Sequence, residues 1–307
     1  MLQRARDRAV DLGYAAGWGL VKSTPQRIAE RSFAAAAEAA SVRNGAGTRQ
    51  LRKNLRRVVG AGCREAELDQ LVADALRSYS RYWLETFRLP KLDKRAIIEH
   101  IDAVAEGTHH LEAALERGRG AIIALPHTGN WDVSGVWLVH RFGTFATVAE
   151  RLKPESLYDR FVEYRESLGF EILPLTGGAR GPLDVLRERL RENKVVCLLS
   201  DRDLSRGGVE VQFFGEPARM PGGPAVLAAT TGAALLPATL WFTDNGWGQR
   251  IEAEVPVTEG RLRDQVPALT QAVAGAFEKS IAAHPADWHM LQKLWLADLP
   301  PLERRAG

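Results

Sequence analysis

The stretch GRGAIIALPHTGNWDVSG, residues 118–135, decides the class of fold. Its unbroken apolar run, Ala121 to Leu125, has the length of a strand and lies between Gly120 and Pro126, which is how a buried strand reads. The apolar texture stops at His127, Thr128 and Gly129, and WDVSGVWLVH (131–140) then resumes as a helix. A strand, a polar turn and a helix in that order make the repeating unit of an α/β fold.

Downstream the alternation continues. FATVAE, FEILPL, KVVCLLS, EVQFF, ALLPATLWF and RIEAEVPV read as further strands, which with AIIAL makes seven. Between them apolar residues recur at helical spacing: Leu157, Phe161, Tyr164 and Leu168, then Leu183, Leu186 and Leu190, then Val266, Val273, Phe277 and Ile281. Upstream the chain is rich in Ala, Leu and Arg and reads as helical, with a break at SVRNGAGT (41–48). The expectation is an α/β fold with a central, mostly seven-stranded sheet flanked by helices. A mainly helical part (1–115) packs on the α/β part (116–307) as a single domain, since no repeat, low-complexity tract or long linker divides them.

Composition supports a globular chain, because 45% of its 307 residues are hydrophobic and 26% are charged, enough apolar material for a core. The two cysteines, Cys63 and Cys197, are far apart, which excludes a disulfide framework and a cysteine-based zinc site and fits a reducing, cytoplasmic setting. Charge is uneven: residues 1–64 hold 13 Lys and Arg against 4 Asp and Glu, so they carry +9 and leave −6 for the rest of a chain whose total is +3. RQLRKNLRRVV (49–59) accordingly suggests contact with an anionic lipid surface, or simply a solvated helix face. Nucleic acid is disfavoured, because the basic residues are not interleaved with aromatics that could stack on bases. The apolar stretch from Ala9 to Val21 contains Asp11 and three glycines, and is short of the roughly 20 apolar residues a membrane span needs.

Missing motifs narrow the chemistry: there is no phosphate-binding G-x-x-x-x-G-K-[ST], no G-x-G-x-x-G and no G-x-S-x-G elbow. The other histidines have no metal-ligand spacing, so no metal and no cofactor is expected. What remains is His127 and Asp132 on one strand-to-helix turn. A carboxylate that accepts a hydrogen bond from one ring nitrogen leaves the other free as a general base, a dyad suited to deprotonating a hydroxyl. The same spacing also fits a plain turn in which the histidine caps or packs.

HTGNWD resembles the H-x4-[DE] motif of the glycerolipid acyltransferase superfamily, specifically the lipid A biosynthesis lauroyl/myristoyl acyltransferase family. Further matches run in order along the chain: YWLETFRL (82–89), AERLKP (149–154), SDRD (200–203), VQFFGEPARMPGGPAVLAATTGAALLPA (211–238) and HPADW (284–288). Within that family the chain looks most like the actinobacterial phosphatidylinositol mannoside acyltransferase branch. The resemblance implies a glycerol-3-phosphate acyltransferase-like fold. It implies acyl-CoA as donor and co-substrate, typically palmitoyl, a mannose 6-hydroxyl of phosphatidylinositol mannoside as acceptor, and a peripheral position at the cytoplasmic face of the plasma membrane on an anionic surface. A different glycolipid or lysophospholipid acceptor, or a non-catalytic lipid-binding role, remains open.

Carried onto this sequence, the resemblance makes His127 the base and Asp132 its orienting carboxylate, with Asn130 and Trp131 shaping the turn or the sugar pocket. Arg151 and Arg165 match arginines of the wider family and are each either an oxyanion donor or part of a surface or structural ion pair. Asp201 and Asp203 follow a strand, and one of them is expected to hold an arginine or to cap a turn. Glu210 either orients the sugar or faces solvent. Phe213 and Phe214 pack, or line an acyl groove. Trp288 and Trp295 are expected mainly to pack.

Overall fold

Alternation along the buried strands sorts the core into two layers. Residues 19–151, 154–203, 207–257 and 259–299 are described by the structure, a computed structural model. Residues 1–18, which hold most of the N-terminal apolar stretch, lie outside the described residues. Strands β1 (Ala121–Leu125), β2 (Ala146–Ala149), β3 (Glu171–Pro174), β4 (Val195–Leu199), β7 (Ala234–Thr243) and β8 (Gly246–Ile251) form one six-stranded sheet in the order β3-β2-β4-β1-β7-β8. All neighbours are parallel except β7 and β8, so the sheet is mixed, with its antiparallel member at an edge.

Successive side chains of a strand point to opposite faces. Ile122, Ala124, Val196, Leu198 and Leu235 therefore join one apolar cluster, and Ile123, Leu125, Cys197, Leu236 and Leu240 join another on the opposite face. The first face is covered by α8 (Pro182–Arg191), α9 (Gly223–Thr231) and α10 (Leu262–Ala283), and by the aromatics Phe213, Trp288 and Trp295. The second lies under α4 (Lys94–Val104), α5 (Thr108–Glu116), α6 (Trp131–Phe142) and α7 (Glu155–Glu166).

The N-terminal region is helical as expected: α1 (Gln26–Arg43), α2 (Ala46–Val59) and α3 (Glu65–Arg88). The break at 41–48 falls where Asn44 adopts a left-handed conformation, φ 46°, and its N–H closes α1 onto the carbonyls of Ala40 and Ser41. Helix α3 buries Leu68, Val72, Ala75 and Leu76 at helical spacing and packs on α1 and on the turn at Pro285–Asp287. No helix among the described residues is long and apolar enough to cross a membrane.

The expected count of seven strands in one sheet is corrected by the pairing. EVQFF contributes to β5 (Val209–Phe213), which pairs only with β6 (Glu216–Met220), a strand the sequence reading did not find. Phe214 and Gly215 both have positive φ, 51° and 78°, the tight two-residue turn that joins a hairpin. Within β5, Val211 and Phe213 are buried while Glu210 and Gln212 are exposed, so this ribbon has one wet face, unlike the central strands. RIEAEVPV gives only Arg250 and Ile251 to β8, because the hairpin from β7 starts that strand at Gly246.

Candidate active site

Strand register builds the site. Strands β1 and β4 run side by side with Leu125 level with Leu199, and Ser200 N–H donates to the Leu125 carbonyl at 2.7 Å, so the register persists past both strand ends. His127 and Asp201, each two residues beyond its strand, therefore meet at the carboxyl edge of the sheet. His127 Nδ1 lies 2.5 Å from Asp201 Oδ1, and the His127 backbone N–H donates to Oδ2 at 2.9 Å. The Trp288 indole also donates to Oδ2 at 2.9 Å. Burial pushes the Asp201 carboxyl up, but the His127 ring, the His127 hydrogen bonds and the Trp288 indole together hold it below the usual carboxylate value. With Nδ1–H directed at Asp201, Nε2 keeps its lone pair and has no partner among the described residues, on a side chain that is 25% exposed. That is the arrangement of a general base.

The carboxylate on the histidine is thus Asp201, in the place the sequence reading gave to Asp132. Asp132 enters α6 one turn away from the strand edge and binds Arg165 instead, with Nε donating to Oδ1 at 2.8 Å and a terminal nitrogen to Oδ2 at 3.2 Å. Tyr82 and Thr86 hydroxyls add longer contacts to the same carboxylate at 3.3 and 3.4 Å. Burial lowers the Arg165 pKa, but Asp132 more than offsets it, so the guanidinium is held further above its ordinary value.

A segment that sequence reading treated as packing holds the His127 loop in place. The Gly129 N–H donates to the Asp287 carbonyl at 3.0 Å and the His289 N–H to the His127 carbonyl at 2.8 Å, while Thr128 bridges Trp288. Gly129 sits at φ 56°, and a Cβ there would lie 2.8 Å from the Leu240 carbonyl carbon, so only glycine lets the loop close against β7. Ser78 donates to Asp287 Oδ1 at 2.6 Å and lies 2.9 Å from His289 Nε2. Burial, aided by the nearby His127, pushes His289 down to about 3, so it stays neutral beside the base. The HPADW motif was the available signal for this strap, but its partners are remote in sequence.

Next to the loop a cavity of about 790 Å³, open mouth included, runs across the second face of the sheet beneath α6. Its sheet wall is Ile123, Leu125, Cys197, Leu199, Ala238 and Leu240, and its helix wall includes Trp131, Gly135 and Leu138. Asp132 and Arg165 also line it. The Trp131 ring meets the His127 ring edge to face with centroids 5.7 Å apart, which ties cavity and base together. Burial pushes the Cys197 thiol up, so that side chain serves as wall.

The remaining candidates separate. Asn130 is the N-cap of α6: its side chain accepts from Val133 N–H at 3.1 Å and donates to Glu85 at 2.8 Å. Arg151 pairs with Glu155 at 2.8 Å on an exposed surface and is not joined to His127 or Asp201. Asp201 holds the histidine rather than an arginine, and Asp203 accepts from Gly208 N–H at 2.8 Å. Glu210 lies on the exposed face of β5 opposite Arg219, with no bond to the dyad. Phe213 packs on Trp295 and Trp288 in the first-face core and Phe214 packs against it, so neither lines the cavity. In α2, Arg52 and Arg56 pair with Glu65, and Arg57 pairs with Asp298 and Glu216 at 2.7 and 2.9 Å, so much of that helix's charge is neutralised within the protein.

The chain matches the family model for bacterial lipid A biosynthesis acyltransferases over residues 3–297. It is similar to the phosphatidylinositol mannoside acyltransferase of Mycolicibacterium smegmatis, 56% identical over 299 residues that take in 97% of this chain and 95% of the relative. It is likewise 56% identical to the phosphatidylinositol mannoside acyltransferase of Mycobacterium tuberculosis H37Rv over 296 residues, 96% of this chain and 92% of the relative.

Proposed function

Because the chain belongs to the bacterial lipid A biosynthesis acyltransferase family, and is on that ground an O-acyltransferase, we propose that it moves a fatty acyl chain from acyl-CoA to the 6-hydroxyl of a mannose on phosphatidylinositol mannoside. The observation that carries the mechanism is the His127 ring fixed at Nδ1 by buried Asp201 with Nε2 unspent. His127 Nε2 takes the hydroxyl proton as the sugar oxygen attacks the thioester carbonyl. Asp201 stabilises the imidazolium that forms, and a general base so placed is worth about 10²–10⁴ in rate. The tetrahedral intermediate collapses by breaking its C–S bond, and the imidazolium returns the proton to the departing CoA thiolate. The ester and free CoA are the products, and no acyl-enzyme forms.

Arg165 is the oxyanion donor that the geometry favours over Arg151, since it lines the cavity and spends only part of its five N–H groups on Asp132. The apolar cavity beside Trp131 takes the acyl chain. The protein works as a peripheral enzyme at the cytoplasmic face of the plasma membrane. Support for that placement comes from the exposed Ile28 and Val42 on α1 beside exposed Arg27, Arg31 and Arg43, a mixture of apolar and cationic side chains suited to anionic headgroups. The test is mass spectrometry of products from palmitoyl-CoA with phosphatidylinositol mannosides, lysophospholipid and a lipid A precursor as parallel acceptors. A mannoside ester carrying one added palmitoyl is expected. Acylation of another acceptor alone would overturn the acceptor assignment.

A further inference from the structure

Among the described residues two buried side-chain polar atoms have no hydrogen-bond partner, Arg202 Nε and His289 Nδ1. Native folds leave few such atoms, and each asks for water, strain or a ligand as its explanation. His289 is neutral, so its idle lone pair costs little. Arg202 always carries its charge, so its idle N–H is the more expensive of the two.

Strand order places Arg202 where ligands bind. Strands β4 and β1 lie side by side, and the chain leaves β1 for β2 and β3 on one flank but leaves β4 for β7 and β8 on the other. The carboxyl edge at such a reversal is the usual binding crevice of an open α/β sheet. Past β4, consecutive residues reach opposite neighbours: Asp201 holds His127 beyond β1, and a terminal nitrogen of Arg202 donates to Glu150, just beyond β2, at 3.1 Å. Arg202 is thus one residue from the carboxylate that holds the base. Burial pushes the Tyr79 hydroxyl up, and a Trp83 hydrogen bond and the Arg202 charge offset part of that rise. The Tyr79 ring lies 5.3 Å from the ring of His289, whose N–H is bonded to the His127 carbonyl.

For its burial Arg202 is weakly paired. Its side chain is 19% exposed, the same as Arg165, yet Arg165 grips a fully buried carboxylate through two bonds. Glu150 is 53% exposed, and a pair that open contributes little and gives way to a stronger ligand. A guanidinium with an unspent edge suits a phosphate, whose oxygens accept two parallel N–H groups. Both substrates of the proposed reaction carry phosphate. Those of CoA lie at the far end of the pantetheine arm from the thioester, whereas the acceptor's phosphodiester is one inositol ring from the reacting mannose. A guanidinium beside the base is placed for the second.

We propose that Arg202 is a specificity-determining residue that binds the phosphodiester of the acceptor headgroup and so selects a phosphoinositide mannoside over a plain mannoside. This rests on the acceptor named under the proposed function.

The experiment compares wild type with Arg202→Gln and Arg202→Lys on two acceptors, phosphatidylinositol mannoside and a phosphate-free alkyl mannoside, and on two donors, palmitoyl-CoA and the phosphate-free palmitoyl thioester of N-acetylcysteamine. The readout is kcat/KM, with thermal melts to establish folding. With the phosphate-bearing acceptor, Arg202→Gln should lose about 10- to 100-fold with either donor, the range of a charge-assisted hydrogen bond. With the alkyl mannoside it should match wild type. Arg202→Lys, which keeps the charge without the fork, should fall between. A loss that vanishes with the phosphate-free donor instead would assign Arg202 to the CoA phosphates and overturn the proposal. An equal loss on every substrate pair would make Arg202 a brace for the Asp201 turn, and no loss on any would leave it without a ligand; either result also overturns it. All three leave the acyltransfer reading intact. Should the Gln variant fail to fold, the Lys variant decides on the same ratios. Absence of transfer by wild type to either acceptor would overturn that reading itself.

Discussion

Asp201 and Asp132 are both fully buried carboxylates of one site, and they do different work because of what they bind. Asp201 faces a ring that can gain and lose a proton, accepts two further N–H groups on its other oxygen, and sits at a strand end. Asp132 faces a guanidinium that never gives up its charge, and holds it through two bonds at the start of a helix. The first pair can move a proton and the second can only hold a charge. Proximity in sequence to the histidine favoured Asp132, while register between parallel strands assigned the histidine to a residue 74 positions away.

The comparison is broken most sharply at the histidine. His127→Ala should lower acyl transfer by about 10⁴, the upper end for a general base, with the melting temperature little changed. A folded variant with near wild-type turnover would remove the base from the mechanism. Asp201→Asn is the next test. The asparagine oxygen would still accept from the His127 backbone N–H and the Trp288 indole, so its amide nitrogen would be turned to donate to Nδ1. That forces the proton onto Nε2, the nitrogen needed as base. Turnover should fall by about 10³–10⁴ with the substrate KM little affected, the signature of a wrong tautomer. A mild effect would mean that Asp201 only packs.

The contrast also marks what the sequence could and could not tell. AIIAL, the turn at His127 and the helix from Trp131 were legible because each carries its own periodicity, and the ordered motifs placed the chain in its family. The His127–Asp201 pair was not legible, since it depends on β1 lying beside β4, and strand order is set by how all the helices cover the sheet. SDRD carries Asp201, yet its two aspartates offered only an arginine partner or a turn cap, because nothing local names His127 as the partner. The strap from His284 to Met290 and the cavity were hidden for the same reason: both are made of residues brought together only by folding. Hairpin β5–β6 was half read, because EPARM contains a proline, opposite Gln212, and lacks the apolar run of a central strand.

A smaller effect is expected at the other pair. Asp132→Asn keeps the shape but leaves Arg165 without its counter-charge in a buried place. Breaking a buried pair in this way costs about 3–5 kcal/mol, and the loss should appear as a lower melting temperature. Turnover of the folded fraction should fall less than in Asp201→Asn. The reverse order, with Asp132 the more damaging to kcat, would make Asp132 the functional partner of His127 after all.

The pH dependence of stability tests the strap beside the dyad and is expected to be smaller still. His289 is pushed from 6.5 to about 3 in the folded protein. Between those values the unfolded chain binds the proton and the folded one does not, so stability falls as pH drops from near 6.5 towards 3. The depressed Asp201 acts in the same direction at lower pH, its contribution present above the unfolded carboxylate value and lost as pH falls through the folded one. His289→Gln removes the first contribution and keeps the second. Chemical denaturation at pH 7 and pH 5 should therefore show a smaller loss in the variant than in wild type, even if the variant is the less stable of the two at pH 7. An equal loss in both would mean that His289 takes up its proton in the folded state, and that the neutral strap beside His127 is not how the base is kept free of a second positive charge.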